Sequence, residues 1–357
     1  MLERVMIISG ESSGELYGAL LARALKSRNP EMRIVGVGGD RMESAGVEFI
    51  SRISSSFGLT EAIKTYGEIR KTFRKVVSAF KSFSPQVVVL IDYPDFNIRV
   101  AREAKRLGIR VLYYVSPQVW AWRMKRVKTI AELVDMMAVI LPFEVDIYRQ
   151  TDVRCEFVGH PVMDEITEVV QDSGFGIADI GSAGLKSRGK NELGLLPDKP
   201  VMALMPGSRL HEVEKLLPVM ADVATEMKRR YPDYQFVMPL APNLDEALFP
   251  RYISEIFHVV KGRSIKALLS SDIALIASGT STLQAALLGI PTVVIYKLSP
   301  LTYFIGKLIV KVKHISLVNI LLDKSVEDDS GLRIRELLQA DANKENIMSE
   351  LVKISDD

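Results

Sequence analysis

Residues 273–287 have the sequence IALIASGTSTLQAAL, an apolar strand followed by a turn and the start of a helix. Backbone N–H groups at such a helix start, together with the positive end of the helix dipole, bind anions such as phosphate. A second unit of this kind lies upstream, where the apolar run 201–205 leads into Pro-Gly-Ser-Arg at 206–209. Glycine lets the backbone approach a ligand closely, and arginine offers a planar fork to phosphate oxygens. The two loops predict a nucleotide diphosphate held by Gly207, Ser208, Arg209, Ser278, Gly279, Thr280, Ser281 and Thr282. This indicates an enzyme that uses a nucleotide-linked donor, with an acceptor bound elsewhere.

Apolar runs alternate with amphipathic segments along the whole chain, as is typical of βαβ units and a mostly parallel sheet. This pattern predicts an α/β protein with two Rossmann-like domains facing a central cleft, and ligands at the carboxyl ends of the strands. We expect an acceptor-binding domain at 1–163, a linker or insertion rich in Gly, Ser and Asp at 164–198, and a donor-binding domain with a C-terminal tail at 199–357. The predicted strands are 5–9, 34–38, 87–91, 111–115, 136–140, 201–205, 235–239, 273–277 and 292–296.

Composition restricts the class of protein and its compartment. A chain of 357 residues, 25% of them charged, with a net charge of +2 is typical of a two-domain globular protein and gives no sign of a nucleic-acid partner. The single cysteine, Cys155, excludes an intramolecular disulfide, which fits a reducing cytoplasm. The N-terminal apolar run is too short for a secretory signal, and no stretch reaches the ~18 residues of a membrane-spanning helix. We expect any membrane contact to be peripheral.

Two glutamates follow the first predicted strand. Glu11 and Glu15 would repel a diphosphate but suit the hydroxyls of a sugar, which indicates the acceptor side of the reaction. The alternative is that both carboxylates only interact favourably with a helix N-terminus.

Two aspartates follow the strand at 87–91. Asp95 comes after Pro94, which stiffens the turn, and we predict that it is the general base for an acceptor hydroxyl, with Asp92 as an orienting or structural partner. The alternative is an N-cap, formed by Asp95 or Asn97, for a helix near 98–107. The chain lacks an Asp-x-Asp pair, so we expect no metal and no other cofactor, and the loops with Arg209 stabilise the leaving diphosphate instead.

Seven segments in chain order resemble the lipid-A-disaccharide synthases, a family of inverting glycosyltransferases. The segments are SGESSGE at 9–15, IDYPDFN at 91–97, YVSPQVWAW at 114–122, LPFE at 141–144, FVGHP at 157–161, MPGSR at 205–209 and ASGT at 277–280. The resemblance implies a GT-B fold and a cytoplasmic enzyme, peripheral on the inner membrane, in the lipopolysaccharide pathway of Gram-negative bacteria. It implies transfer from UDP-2,3-diacylglucosamine to 2,3-diacylglucosamine 1-phosphate, with a β-1,6 linkage and release of UDP.

The same resemblance assigns roles to single residues. It implies that Asp95 and Glu11 are the essential carboxylates, that Arg209 binds the donor, and that Asn319 is a further donor contact. The segment around Asn319 has Val318 where the family has proline, and Gln284 stands where the family commonly has glutamate. Gln284 can still accept a ribose hydroxyl through its amide oxygen. On the acceptor side we expect Glu15, Ser116, Gln118, Trp120 and Trp122, with buried packing as the alternative for the two tryptophans.

Acylated substrates require a surface that meets the membrane. Residues 63–83 predict a helix with one apolar stripe, formed by Ile69, Phe73, Val76, Val77 and Phe80, and basic residues elsewhere. The stripe either enters the interface or packs in the core as in an ordinary surface helix. The segment 301–322, in which lysines interrupt apolar residues, is a second candidate.

Two other functions fit the same pattern. A UDP-sugar epimerase would share the two-domain fold, and a catalytically impaired UDP-sugar-binding module would explain Gln284 and the acidic stretch 327–329. A homodimer is a candidate assembly, and the sequence leaves the oligomeric state open.

Overall fold

The computed structural model describes residues 2–10, 12–52, 62–122, 124–249, 252–299, 303, 313–325 and 333–356. The chain divides into two compact units, Met1–Pro161 and Val162–Asp357. Each unit contains one parallel sheet with helices between its strands. The α/β class expected from the alternating pattern is therefore confirmed.

The first unit has a seven-stranded sheet in the order β3-β2-β1-β4-β5-β6-β7. Its strands are β1 Arg4–Ser9, β2 Arg33–Gly38, β3 Glu48–Arg52, β4 Val87–Ile91, β5 Arg110–Tyr114, β6 Met136–Val139 and β7 Arg154–Phe157. Its helices are α1 Ser12–Arg28, α2 Asp40–Ser44, α3 Ala62–Ser82, α4 Pro94–Arg106, α5 Val119–Trp122, α6 Arg126–Leu133 and α7 Glu144–Tyr148.

The second unit has a six-stranded sheet in the order β10-β9-β8-β11-β12-β13. Its strands are β8 Val201–Met205, β9 Gln235–Leu240, β10 His258–Lys261, β11 Ile273–Ala277, β12 Thr292–Tyr296 and β13 Arg335–Leu338. The helices are α8 Val162–Asp172, α9 Ala183–Glu192, α10 Leu210–Arg230, α11 Tyr252–Ile256, α12 Ser264–Leu269, α13 Thr280–Leu287, α14 Leu317–Ser325 and α15 Lys344–Asp356.

Both sheets reverse their strand order at one internal point. In the first sheet the reversal lies between β1 and β4, where Met6 pairs with Val88, and in the second between β8 and β11, where Met205 pairs with Ile276. Doubly wound sheets bind ligands outside the carboxyl ends of the strands at such a switch point. The turns after these four strands are thus the positions where each unit offers a site.

The predicted linker at 164–198 is instead part of the second unit. Val162, Ile166 and Val170 are spaced by one helical turn in α8, and all three are fully buried in a core that includes Val201 and Ala203. Gly174 and Gly181 lie in turns with positive φ, and the Ser182 side chain caps α9, so the segment does not form an open linker.

The apolar stripe of α3 faces the core of the first unit. Val76 and Phe80 are 0% and 3% exposed, and Ile69 and Phe73 pack against the same cluster. The stripe is therefore an ordinary core-facing surface, and the hypothesis that it enters a membrane interface is wrong for these residues. Of the second candidate segment, 301–302 and 304–312 lie outside the described residues.

Candidate functional site

The turns after β1 and β4 contact each other at the switch point of the first unit. A Cβ atom built on Gly10 would lie 2.1 Å from Cγ of Tyr93, so only glycine fits against this ring. The Tyr93 ring in turn stacks on Phe96, with centroids 5.4 Å apart. The fold thus brings the SGESSGE and IDYPDFN motifs to one place, although Glu11 itself lies outside the described residues.

The turn after β4 has an unusual backbone. Asp92 and Tyr93 have φ angles of 45° and 48°, in the left-handed region that non-glycine residues rarely adopt. Two side chains hold this conformation at the Asp92 carbonyl, which accepts from Nδ2 of Asn97 at 2.7 Å and from the hydroxyl of Tyr113 at 2.7 Å. Strained backbone held by buried polar groups is common at functional sites.

Asp95 lies in the first turn of α4, which begins at Pro94 and not near residue 98 as expected from the sequence. Proline is well tolerated at the first helical position because the N–H it lacks has no partner there. Tyr93 occupies the N-cap position, so neither Asp95 nor Asn97 is the cap. The Asp95 side chain is 69% exposed, and its Oδ1 accepts from Nη2 of Arg126 at 2.7 Å.

The SPQVWAW segment is tied to the first unit by buried hydrogen bonds. Ser116 is buried, and its hydroxyl lies 2.9 Å from that of Tyr148. Half-buried Trp120 donates its indole N–H to Oε1 of Glu144 at 3.2 Å. Glu144 is 1% exposed, and desolvation raises its pKa from 4.5 to about 7. These contacts support the packing alternative for Trp120, while Gln118 is exposed and its acceptor-side role stays a prediction.

Two acceptor-side candidates remain, Glu15 and Trp122. Glu15 is half-buried, and its Oε1 accepts from the backbone N–H of Arg41 at 2.8 Å in the first turn of α2. This contact matches the alternative in which the carboxylate supports a helix N-terminus, although that helix is α2 and not α1. The side chain of Trp122 lies outside the described residues.

The first predicted phosphate loop lies between β8 and α10. Gly207 has φ 113°, and a Cβ atom built on it would lie 2.6 Å from Oε2 of Glu212. Glu212 is 7% exposed and contacts Nη1 of Arg209 at 3.4 Å, while the Arg209 side chain is 47% exposed. The loop carbonyl of Ser208 accepts from Nδ2 of Asn243 at 3.1 Å. Arg209 is therefore at the surface of the switch point, next to a buried carboxylate.

The second predicted phosphate loop lies between β11 and α13. Gly279 has nothing within 4 Å of a Cβ position, and Thr280 starts the helix. The side chains of Ser278 and Thr282 bond to backbone, with Ser278 Oγ donating to Ile315 at 2.8 Å and Thr282 Oγ1 to Gly279 at 2.8 Å. These two hydroxyls hold the loop, so the first N–H groups of the helix are the groups that its geometry offers to an anion. Ser281 is half-buried in this first turn.

The other two predicted donor contacts are buried. Gln284 is 5% exposed and donates from Nε2 to Oε2 of Glu165 at 2.7 Å. Its Oε1 is buried and has no hydrogen-bond partner among the described residues, so this oxygen is the atom left for the predicted ribose hydroxyl. Asn319 is 1% exposed, and both polar atoms of its amide bond to Ile334 and Glu336 next to β13. These bonds give Asn319 a structural role, and its expected contact with the donor stays a prediction.

The structure was searched for groups of side chains that could hold a metal ion. Within the described ranges, no three His, Cys, Asp or Glu side chains lie together as a metal site would require. Independence from metal remains a prediction from the sequence.

In the part of the chain that the structure describes, every helix is too short or too polar to cross a bilayer.

The sequence was compared with protein families and with curated relatives. The family model for lipid-A-disaccharide synthetase matches residues 5–356. The chain belongs to the lipid-A-disaccharide synthase family. A lipid-A-disaccharide synthase from Geobacter sulfurreducens is 40% identical over 99% of this chain and 88% of the relative, and one from Myxococcus xanthus is 38% identical over 98% and 88%. The predicted glycosyltransferase class is thus confirmed, and with it the family resemblance carried by the seven segments.

Solved structures extend the comparison to the fold. A UDP-GlcNAc 2-epimerase from Neisseria meningitidis aligns with a TM-score of 0.63 at 11% identity, over 99% of this chain and 91% of the other. The calicheamicin glycosyltransferase CalG4 aligns with a TM-score of 0.57 at 15% identity, over 100% and 91%. Identities this low show the fold alone, and they agree with two Rossmann-like domains of the GT-B type. The epimerase likeness carries no argument against membership of the lipid-A-disaccharide synthase family.

Two residues that contact the predicted site were not singled out from the sequence. Arg126 bonds to Asp95, and Glu212 contacts Gly207 and Arg209. Glu212 lies three residues after Arg209 at a helix start, a spacing that places two side chains together. Arg126 follows the aromatic run by four residues, but no pattern in this synthase-family sequence links it to an aspartate on another helix.

Proposed function

We propose that this chain transfers 2,3-diacylglucosamine from its UDP conjugate to the 6-hydroxyl of 2,3-diacylglucosamine 1-phosphate, forming a β-1,6 linkage and releasing UDP. Membership of the lipid-A-disaccharide synthase family supports the reaction class. The Neisseria epimerase of the same fold was solved bound to UDP-GlcNAc, which supports a UDP-sugar donor for this architecture. The identity of the two acylated substrates is proposed together with the reaction.

In this proposal Asp95 is the general base. The observation that carries it is the position of the carboxylate, which is 69% exposed at the carboxyl end of β4, beside the strained turn at Asp92. A carboxylate that ligands can reach is able to take the proton of a sugar hydroxyl. Asp92 is half-buried, and its carbonyl is held by two side chains, which supports an orienting role for this residue.

The donor half of the proposal rests on the second switch point. The exposed Arg209 guanidinium and the first N–H groups of α13 follow two neighbouring strands, β8 and β11. Positive groups at these positions stabilise the negative charge that develops on a leaving diphosphate. The buried Gln284 oxygen supports a contact with the ribose of the same nucleotide.

A peripheral position on the cytoplasmic side of the inner membrane is also proposed. The basic residues of α3 face away from its core stripe and are exposed, namely Arg70, Lys71, Arg74, Lys75 and Lys81. Each basic residue near an anionic leaflet contributes ~1 kcal/mol, which suffices for reversible adsorption. Sedimentation with anionic vesicles, but not with zwitterionic ones, is the expected behaviour. A homodimer remains a prediction that light scattering would check.

The test of the reaction uses purified protein with the acylated donor and acceptor, and mass spectrometry of the product. We expect Asp95→Asn to keep its fold and UDP affinity and to lower turnover ~100-fold or more. Asp146→Asn is the matched control, because Asp146 is an exposed aspartate of the same unit that also pairs with an arginine, Arg149. Near-normal turnover of Asp95→Asn would remove Asp95 from the role. Consumption of donor without acceptor would favour the epimerase.

A further inference from the structure

Arg126 links two helices that are separate in the sequence. It is the first residue of α6, four residues after the aromatic run, and its Nη2 donates to Oδ1 of Asp95 on α4 at 2.7 Å. A guanidinium that bonds to one carboxylate oxygen restricts the rotation of the carboxylate.

One nitrogen of the guanidinium is buried. Nη1 of Arg126 is inaccessible to solvent and has no hydrogen-bond partner within the described part of the chain, although the side chain as a whole is 30% exposed. A buried charged donor that lacks a partner is costly, and an ion pair with an aspartate as exposed as Asp95 stabilises a fold very little. Stability alone does not explain the arrangement, and such groups are common where a side chain is kept for function.

The surroundings of Arg126 belong to the same turn. Tyr113, whose hydroxyl holds the Asp92 carbonyl, is fully buried, and its pKa is raised well above 10 by desolvation and by the charge of Asp92, with Arg126 acting in the opposite direction. The positive charge of Arg126 thus lies near Tyr113, whose hydroxyl holds the strained turn, as well as beside Asp95.

We propose that Arg126 is a positioning residue that fixes the Asp95 carboxylate so that it accepts the proton of the acceptor hydroxyl. This inference rests on the proposed role of Asp95. In the step concerned, the acceptor O–H bond breaks and its proton passes to the Asp95 carboxylate. The acceptor oxygen forms a bond to the anomeric carbon of the donor sugar, the bond between that carbon and the diphosphate oxygen breaks, and UDP leaves with its electron pair.

The experiment measures kcat and KM for both substrates in Arg126→Met, Arg126→Lys and a control, Arg106→Met. Arg106 also lies in a short pair with a carboxylate, Glu103, but at the far end of α4. We expect Arg126→Met to lower kcat roughly 10- to 100-fold, because a misplaced base loses most of its effect, with both KM values changed less than ~3-fold. Arg126→Lys should recover part of kcat, since lysine keeps the charge but not the planar fork. Arg106→Met should match the unchanged protein.

A double variant separates this inference from the proposed function. If Arg126 acts through Asp95, Arg126→Met costs less than ~2-fold in kcat when Asp95→Asn is already present. An equal loss in both backgrounds would show that Arg126 acts independently of Asp95. A raised acceptor KM with unchanged kcat would place Arg126 in substrate binding. Either outcome overturns the positioning role while Asp95 remains the base. Near-normal turnover of Asp95→Asn alone would instead remove Asp95 as the base, the premise on which the positioning role rests. Thermal unfolding checks that each variant folds. If Arg126→Met does not fold, Arg126→Lys is compared with the unchanged protein instead.

Discussion

The side-chain amide of Asn97 donates to the carbonyl of Asp92 at 2.7 Å and to the carbonyl of Ile91 at 3.2 Å. Asn97 is fully buried in the first turns of α4. The backbone N–H of Asp92 also donates to the carbonyl of Val115 at 3.3 Å, and Val115 itself has φ 67°. A buried amide therefore supports a turn in which residues at the ends of two neighbouring strands adopt the left-handed conformation.

We expect Asn97→Ala to destabilise the protein by about 2–4 kcal/mol, because it removes two hydrogen bonds from buried carbonyls and leaves a cavity. Chemical denaturation measures this change in the free energy of unfolding. Tyr113→Phe is the matched variant, since it removes only one bond to the same Asp92 carbonyl and should cost about 1 kcal/mol. Equal costs for the two variants would contradict the central role of Asn97.

The strands found from the sequence are the inner ones. All nine predicted strands exist, and the four that were missed, β3, β7, β10 and β13, are the outer strands of the two sheets. Inner strands of a parallel sheet are covered on both faces and consist of continuous apolar residues, as in Val201–Met205, which is buried throughout. Outer strands such as β7, Arg154–Phe157, alternate with charge and are mostly exposed. Their sequences carry no apolar run that periodicity could detect.

The candidate site was predictable where backbone geometry alone defines it. Loops that follow strands of a parallel sheet lie at its carboxyl edge, so the phosphate loops and Asp95 could be placed at that edge from the sequence. Partners from other elements could not be placed, because the contact between Arg126 and Asp95 and that between Gln284 and Glu165 depend on how helices pack. Asn319 is the opposite case. Its motif predicted a contact with the donor, but both polar atoms of its amide are hydrogen-bonded to Ile334 and Glu336 of the protein itself.

The buried carboxyl of Glu144 predicts a pH-dependent stability. Its pKa is raised from 4.5 to about 7 by desolvation, so the folded protein keeps a proton that the unfolded chain releases at lower pH. The contribution of Glu144 to stability is therefore highest below about pH 4.5, falls by about 3 kcal/mol as the pH rises to about 7, and is then constant.

Glu144→Gln should remove this slope, because glutamine is neutral at every pH, although its NH2 group faces the N–H of Leu141 and one hydrogen bond is lost. Denaturation curves at several values between about pH 5 and 8 give the difference between the variant and the unchanged protein. Glu132→Gln, which alters an exposed glutamate of the same unit, should leave the slope as it is. A slope shared by Glu144→Gln would show that Glu144 ionises normally.

Gly207→Ala should weaken UDP binding. The added Cβ would lie 2.6 Å from Oε2 of Glu212, and a φ of 113° strains any residue except glycine. The loop must shift, and with it Arg209, which Glu212 contacts. We expect the Kd for UDP to rise about 10-fold or more, since one charge-assisted contact is worth about 1.5–3 kcal/mol. Calorimetric titration measures it. Gly176→Ala, in the same unit but at a negative φ and with its nearest contact at 3.6 Å, should bind UDP normally. Unchanged affinity in both variants would separate this loop from the nucleotide.

Gln284→Glu should destabilise the protein at neutral pH, although the resemblance to the family led us to expect glutamate at this position. Gln284 donates to Oε2 of Glu165 at 2.7 Å, and a second carboxylate at this buried position would replace a hydrogen bond by repulsion between like charges. We expect a loss of about 2–3 kcal/mol near pH 8 that becomes smaller near pH 5, where one of the two acids takes up a proton. Adding Glu165→Gln should restore most of the loss, because the donor and acceptor are then exchanged between the same two positions. Denaturation of the two single variants and the double variant measures the coupling. If the double variant is no more stable than Gln284→Glu, then the contact with Glu165 is not the reason why a glutamate at position 284 is unfavourable.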